Sequence, residues 1–217
     1  MSEINNIMEG KQNKTQGTLA FIEVLVFMVV LQTILFFVKM FAQSFILDNR
    51  FYMKMITMGC MIILTFMVVL WSSIKKVKLS VFPEKFSKMY LLVTAIAAIL
   101  FISTPSNFVE GITAILVLIY GSIVTPMYEE LLFRGYIWNR LNPFLKVEKN
   151  TWLITAVLFS VWHLGYVIPN IWAGDWFAVI TKMVVGFAYG ILLGYVRLKT
   201  QNCYSTILLH GVLNIFM

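Results

Sequence analysis

The sequence predicts an all-α protein, a polytopic bundle of about seven transmembrane helices. Of its 217 residues, 60% are hydrophobic and 12% are charged, whereas soluble domains are roughly 45–50% apolar and about 25% charged. The mean hydropathy is +0.84. The apolar residues also form runs that approach or exceed the roughly 20 residues that a membrane-spanning helix needs.

The individual spans follow from the lengths of these runs and from the turn signals between them. Residues 1–16 are predicted to be a polar cytoplasmic tail, 17–106 to hold the first three spans, and 107–217 to form a catalytic core of four more. The seven predicted spans are residues 18–47, 56–74, 90–103, 108–126 with a charged continuation to Arg140, 151–168, 177–198 and 203–217.

The distribution of positive charge predicts the orientation of the bundle. The net charge of +7 could suggest nucleic acid, but the basic residues lie in short gaps between apolar runs, which favours contact with the lipid bilayer and no nucleic-acid partner. With a cytoplasmic N-terminus, the outer segments carry Arg50 and Lys54. The inner segments then carry Lys11, Lys14, Lys75, Lys76, Lys78, Lys85, Lys88, Arg134, Arg140, Lys146, Lys149, Arg197 and Lys199. We therefore predict a multi-pass protein of the cell membrane with its N-terminus in the cytoplasm.

The sixth span has a glycine at every fourth position, at Gly186, Gly190 and Gly194. This spacing gives one smooth stripe along a single helix face, where another helix can approach closely. We interpret the stripe as a helix-packing seam.

An acidic pair and an arginine stand inside the fourth segment. Glu130 and Arg134 are four residues apart, so on a helix they lie on one face and can form an ion pair. Glu129 projects about 100° away from Glu130 and remains available for another role. Each lone charge at the centre of a bilayer costs roughly 2.5–3.5 kcal/mol, so a purely structural helix would not be expected to carry this set.

The two histidines of the chain also fall inside predicted spans. His163 lies in the fifth, one turn after Phe159, and His210 lies in the seventh, one turn before Asn214. With a rise of about 1.5 Å per residue, Glu129, His163 and His210 each lie roughly 16–18 Å from the cytoplasmic end of their helix. Three helices thus place ionisable groups at one depth, which predicts a shared site.

Pro126 lies one turn before Glu130. A proline inside a helix removes a backbone hydrogen bond and predicts a kink here. The carbonyl of Ser122 that it frees is best tolerated beside a polar cavity.

These residues have the chemistry needed to hydrolyse a peptide bond. Glu129 and His163 can hold and deprotonate a water molecule. His210 and Asn214 can donate hydrogen bonds to the developing oxyanion. This scheme needs no serine or cysteine nucleophile.

Glu129, His163 and His210 could instead bind Zn2+ and leave one position for water. The sequence contains no His-Glu-x-x-His motif. We favour a mechanism without metal or another cofactor.

Three motifs in this order resemble the CPBP family of CAAX proteases and bacteriocin-processing enzymes, and the glycine-rich sixth span is similar to a further motif of that family. The resemblance covers residues 108–217. Its motifs are Glu129-Glu130-x-x-x-Arg134, Phe159-x-x-x-His163 and His210-x-x-x-Asn214.

The resemblance implies a glutamate-dependent intramembrane endopeptidase that cleaves a membrane-associated peptide or protein. The eukaryotic branch cleaves prenylated CAAX proteins, and bacterial members are linked to peptide maturation, signalling and self-immunity to bacteriocins. By resemblance, Glu129 is the base, His163 its partner on the water, and His210 and Asn214 the oxyanion donors, with support from Glu130, Arg134 and Phe159.

One position departs from the family pattern. The prenyl-protein branch carries a further polar residue one turn after the histidine of the second motif, where this chain has Val167. The resemblance therefore implies the hydrolytic core more strongly than CAAX specificity.

Two other functions fit parts of the sequence. A non-catalytic bacteriocin self-immunity protein would bind a toxin or its receptor without hydrolysis. A proton-coupled transporter would use buried glutamates and histidines as relays, but it predicts paired repeats with matching broken helices, which the sequence does not show.

Overall fold

The computed structural model describes residues 2–45, 49–103 and 111–216. Within these ranges the chain forms helices joined by short connections, with no β-strand, so the all-α prediction is confirmed. The helices are α1 (Ser2–Phe45), α2 (Arg50–Ile74), α3 (Lys88–Ile102), α4 (Ile112–Phe144), α5 (Glu148–Trp162), the short α6 (Ile168–Trp172), α7 (Trp176–Thr200) and α8 (Cys203–Leu213).

Helix length and surface composition identify a multi-pass membrane protein. Among the described helices, α1 from Lys14, α2, α4 and α7 are each long and apolar enough to cross a bilayer, and α3 and Cys203–Phe216 are shorter apolar helices. Large apolar side chains face outward on these helices; Phe41, for example, is 69% exposed. Such a surface would promote aggregation in water but suits lipid.

Two predicted boundaries differ from the structure. Residues 2–16, predicted to be a tail, continue α1 as helix; they contain no proline that would stop it. The fifth span was predicted to reach residue 168, but α5 ends at Trp162 and a tighter 3-10 turn follows over His163–Tyr166. Pro169 in the first turn of α6 restricts the residue before it, which separates the two helices. The predicted turn at 103–107 and the start of the fourth span fall mostly outside the described residues.

Helix α4 is continuous but changes its winding. Wider π-helical segments, Tyr120–Val124 and Leu131–Ile137, flank an ordinary helical segment, Thr125–Glu130, that contains Pro126. Such π segments often mark functional sites. The Ser122 carbonyl packs against Gly211 of α8, where an added Cβ would come within 2.1 Å of its oxygen.

The glycine stripe of α7 packs closely against α5. An added Cβ at Gly190 would lie 2.8 Å from the Cα of Ala156, and one at Gly194 would lie 2.4 Å from the ring of Trp152. The predicted packing seam is therefore confirmed. The third glycine, Gly186, lies against His163, so the seam also leaves room for a candidate site residue.

Polar contacts tie the N-terminal helices to α4 at one end of the bundle. Glu23 of α1 accepts hydrogen bonds from Tyr136 (2.5 Å) and Arg140 (2.7 Å) and lies 3.5 Å from Lys75. Asn139 donates to the carbonyl of Lys78 in the loop after α2. We call this the basic end; it comprises residues 14–23, 74–88, 139–150 and 197–204.

Candidate active site

The ion pair predicted from the i, i+4 spacing is present and fully buried. Arg134 Nη1 donates to Glu130 Oε1 at 2.9 Å, and both side chains have 0% exposure. The guanidinium lies over the ring of Phe159, 4.4 Å from its centroid, and Nη2 is 3.4 Å from the carbonyl oxygen of Gly190. Arg134 therefore joins α4, α5 and α7 next to the glutamates.

Glu129 is held by a tyrosine that sequence analysis did not single out. The hydroxyl of Tyr166 donates to Glu129 Oε1 at 2.7 Å and accepts a hydrogen bond from Trp162 Nε1 at 3.1 Å. Among the described residues, none donates a hydrogen bond to Glu129 Oε2, and His210 Nε2 lies 3.9 Å from it. One carboxylate oxygen is thus fixed, and the other remains available to a water molecule.

The backbone of α5 sets the orientation of His163. Its Nδ1 lies 2.7 Å from the carbonyl oxygen of Phe159. A carbonyl oxygen can only accept a hydrogen bond, so Nδ1 carries the proton. In the neutral ring, Nε2 is then a hydrogen-bond acceptor.

His210 bridges the two glutamates. Its Nδ1 lies 2.9 Å from Glu130 Oε1, and its Nε2 faces Glu129 Oε2. Asn214, predicted to act with His210, uses its Nδ2 to donate to the carbonyl of Gly121 at 2.9 Å. Part of the amide's hydrogen-bonding capacity is therefore used to tie the end of α8 to α4.

A cavity of about 410 Å³ brings the predicted catalytic residues together. Glu129, His163, His210 and Asn214 all line it, whereas Glu130, Arg134 and Phe159 are not among its lining residues and lie behind it. The volume is within the range of small-ligand pockets. Other lining groups that sequence analysis missed or left without a role include Tyr166, Tyr189, Tyr120, Thr125, Lys39 and Lys182.

The cavity lies toward the end of the bundle remote from the basic end. On α4, Tyr120 and Thr125 come before Glu129, while Arg140 follows it. On α8, the lining residue Asn214 comes after His210, whereas the helix starts at the basic end. The half of the bundle nearer the basic end is filled instead by packed side chains such as Phe133 and Tyr136.

The zinc alternative lacks a matching ligand geometry. Across the described residues, no three histidine, cysteine, aspartate or glutamate side chains are placed to hold a metal ion. Glu129, His163 and His210 share the cavity, but Tyr166 and Glu130 occupy part of their hydrogen-bonding capacity.

The part of the chain that supplies these residues matches a known family. The family model described as type II CAAX prenyl endopeptidase Rce1-like matches residues 111–216. We call this matched part of the chain the Rce1-like segment. The Rce1-like segment runs from α4 through α8 and contains the seven predicted site residues, so the resemblance found in the motifs is confirmed.

One curated relative overlaps the chain in part. Over 94 residues the chain is 28% identical to the UPF0177 protein YxdF of Lactococcus lactis subsp. lactis (strain IL1403). The alignment covers 43% of this chain and 44% of YxdF, so it spans less than half the length of that relative. No solved structure matches the chain.

Helix α1 lies outside the Rce1-like segment and yet reaches its cavity. The Lys39 ammonium lies 5.0 Å from the centroid of the Tyr166 ring. Gln32, two turns earlier, donates to the carbonyl of Trp162 at 2.9 Å. Helix α1 therefore forms part of the wall of this cavity.

Proposed function

We propose that the chain is an intramembrane endopeptidase that hydrolyses a peptide bond with a water molecule activated by Glu129. The observation that carries this proposal is the shared cavity, which is lined by one carboxylate and two imidazoles inside a membrane-spanning bundle. The Rce1-like match supports a protease at the level of the family.

The hydrogen bonds around Glu129 and His163 suggest how the water is activated. The water donates one hydrogen to Glu129 Oε2 and the other to His163 Nε2, the two acceptors left open by Tyr166 and Phe159. Glu129 removes a proton as the water oxygen forms a bond to the carbonyl carbon of the peptide. It then passes that proton to the amide nitrogen as the C–N bond breaks.

His210 and Asn214 stabilise the negative charge on the carbonyl oxygen. Glu130 accepts the Nδ1 proton of His210, so Nε2 donates to an oxyanion when the ring carries a second proton. The hydrogen of Asn214 that does not bond Gly121 supplies a further donor.

The substrate is a peptide or protein associated with the membrane, processed either as in CAAX proteins or as in bacteriocin or signal-peptide maturation. We place the chain in the cell membrane with its N-terminus in the cytoplasm because lysine and arginine concentrate at the basic end.

Glu129→Gln tests the proposal directly. The substitution keeps the shape of the side chain and its acceptor for Tyr166 but removes the base, so we expect hydrolysis to fall by about 100-fold or more. Membranes from cells with wild-type or variant protein are compared by mass spectrometry of newly formed peptide termini. Glu148→Gln, in the first turn of α5 at the basic end, is the matched control and should leave the cleavage products unchanged.

The same variant separates the peptidase from the self-immunity alternative. The peptidase would be rejected if Glu129→Gln cells kept a toxin-resistance phenotype and their membranes contained all the peptide termini found with the wild-type protein. This result would establish binding without catalysis.

Chelation tests the preference for a metal-free mechanism. We expect the purified protein to keep its activity after treatment with a chelator and dialysis, because its cavity lacks a three-ligand metal geometry. Activity is measured on the peptide identified by the terminus comparison. Loss of activity that added Zn2+ restores would overturn this mechanism.

A further inference from the structure

Two lysines from different helices line the same cavity as Glu129. Lys39 comes from α1 and Lys182 from α7. A lysine near the end of a membrane span commonly extends its ammonium to the membrane surface. Instead, both are partly buried at the cavity, and neither forms a salt bridge or a hydrogen bond with any residue that the structure describes.

The charges around the cavity leave an excess of positive charge. Glu130 and Arg134 neutralise each other behind the cavity wall. The remaining charged groups in the lining are Glu129, Lys39 and Lys182, which gives one uncompensated cation when Glu129 is ionised and two when it is protonated. Charges attract more strongly in such partly desolvated surroundings than in water, so an anionic group that enters the cavity is favoured.

Tyr166 connects this positive charge to the proposed base. Its ring lies under the Lys39 ammonium and its hydroxyl donates to Glu129. One side chain therefore separates Lys39 from Glu129. An anion bound at Lys39 would belong to a part of the substrate close to the bond that is cleaved.

We propose that Lys39 and Lys182 form a subsite that binds a carboxylate of the peptide substrate. The carboxylate is either the C-terminal group of the peptide or the side chain of an aspartate or glutamate near the scissile bond. The identity of the ligand as a peptide rests on the proposed peptidase function. The subsite also gives α1, which lies outside the Rce1-like segment, a role in substrate selection.

A binding measurement without turnover tests this subsite. The full-length Glu129→Gln protein is placed in phosphatidylcholine nanodiscs and titrated with three fluorescein-labelled tripeptides. These are Ala-Leu-Leu as the free acid, Ala-Leu-Leu amide, and Ala-Glu-Leu amide. Lys39→Met and Lys182→Met each remove one charge from the cavity, and Lys54→Met makes the same change at an exposed position of α2.

We expect at least one carboxylate peptide to bind about tenfold tighter than Ala-Leu-Leu amide, which is typical of a charge-assisted contact. Each cavity substitution should remove most of this preference and leave the affinity for the neutral amide unchanged. Lys54→Met should keep the preference. The preferred peptide shows whether the subsite binds a C-terminal carboxylate or an acidic side chain. Lys182→Arg keeps the positive charge and should bind that peptide as the parent protein does.

Several results would overturn the subsite. These are equal affinity for the three peptides, no binding of either carboxylate peptide, and a preference that survives both cavity substitutions. Lysine-dependent binding of phosphatidylglycerol without a preference among the peptides would assign the pair to lipid phosphate and also reject it. This titration measures no cleavage, so it is independent of the Glu129 test. If Glu129→Gln left hydrolysis unchanged, the peptidase would be rejected, but a lysine-dependent preference for carboxylate peptides would still support the subsite.

Discussion

His210 joins a continuous series of polar contacts that begins at Arg134 and ends at Tyr166. Arg134 donates to Glu130, Glu130 accepts from His210, and the other nitrogen of His210 faces Glu129. Tyr166 then holds the second oxygen of Glu129. The hydrogen bonds of Glu130 constrain His210, and that of Tyr166 constrains Glu129, because an unpaired polar atom in these surroundings is costly. The two adjacent glutamates thus have different surroundings, one tied to an arginine and one to a tyrosine.

Tyr166→Phe tests whether this tyrosine positions the base. The substitution removes the hydrogen bond to Glu129 but keeps the ring under Lys39, so we expect kcat to fall about tenfold while KM is unchanged. Kinetics on the identified substrate provide the measurement. Tyr52→Phe, at an exposed position of α2, is the control. Wild-type kcat in the Tyr166 variant would show that Glu129 does not depend on this hydroxyl.

Val167 occupies the position where the prenyl-protein branch has a polar residue. In this chain the preceding residue, Tyr166, donates a hydrogen bond to Glu129 from the 3-10 turn His163–Tyr166 that follows α5. The tighter turn changes the direction in which these side chains project. The sequence predicts a regular helix through residue 168, and for this reason it did not reveal Tyr166 as a partner of Glu129.

At the scale of the helices, the approach of α8 to α4 decides where His210 and Asn214 lie. The contact is possible because Gly211 has no Cβ and the Ser122 carbonyl of the first π segment packs directly against it. The adjacent His210 reaches Glu130, and Asn214 one turn later reaches Gly121. The π segment of α4 thus packs closely against α8 at the position where α8 has a glycine.

Gly211→Ala should disrupt this contact. The new methyl group would lie 2.1 Å from a backbone oxygen, so α8 must shift and carry His210 away from the glutamates. We expect activity to fall by at least about tenfold and the free energy of unfolding to fall by about 1–3 kcal/mol. Activity and thermal unfolding in detergent are the measurements.

Gly59→Ala is the matched control for that change. Gly59 lies within α2, and an added Cβ there meets nothing within 4 Å. Its substitution should leave activity unchanged and raise stability slightly, through the higher helix propensity of alanine. If the two variants behaved alike, the close contact of α8 with α4 would not matter for the site.

At the scale of the whole molecule, the cavity and the basic end lie in opposite halves of the bundle. The basic end holds the Glu23 cluster and the loops after α2, α4 and α7, whereas most of the cavity lining comes from parts of the helices remote from that end. With the proposed orientation, substrate would reach Glu129 from the outer side of the cell membrane. This arrangement fits a peptide that has been exported or a segment exposed at the outer surface.

Cysteine labelling in intact cells tests the orientation and the side on which the cavity opens. In a background with Cys60→Ser and Cys203→Ser, we expect Asp175→Cys and Lys182→Cys to react with a membrane-impermeant maleimide added outside. Lys85→Cys, in the loop at the basic end, should react only after the cells are permeabilised. The reverse pattern would place the N-terminus and the basic end outside. Labelling at 175 without labelling at 182 would contradict the outward opening.

The sequence by itself determined the membrane-spanning helical bundle, since the length and polarity of apolar runs depend on local composition. It also predicted a site at Glu129, Glu130, Arg134, His163 and His210, because ionisable groups are conspicuous in an apolar span. Tertiary packing decided that His210 binds Glu130, that Tyr166 orients Glu129 and that Asn214 bonds Gly121. These contacts join residues far apart in the chain. They depend on the change of winding in α4 and on the close approach of helices at glycines, which helical periodicity does not encode.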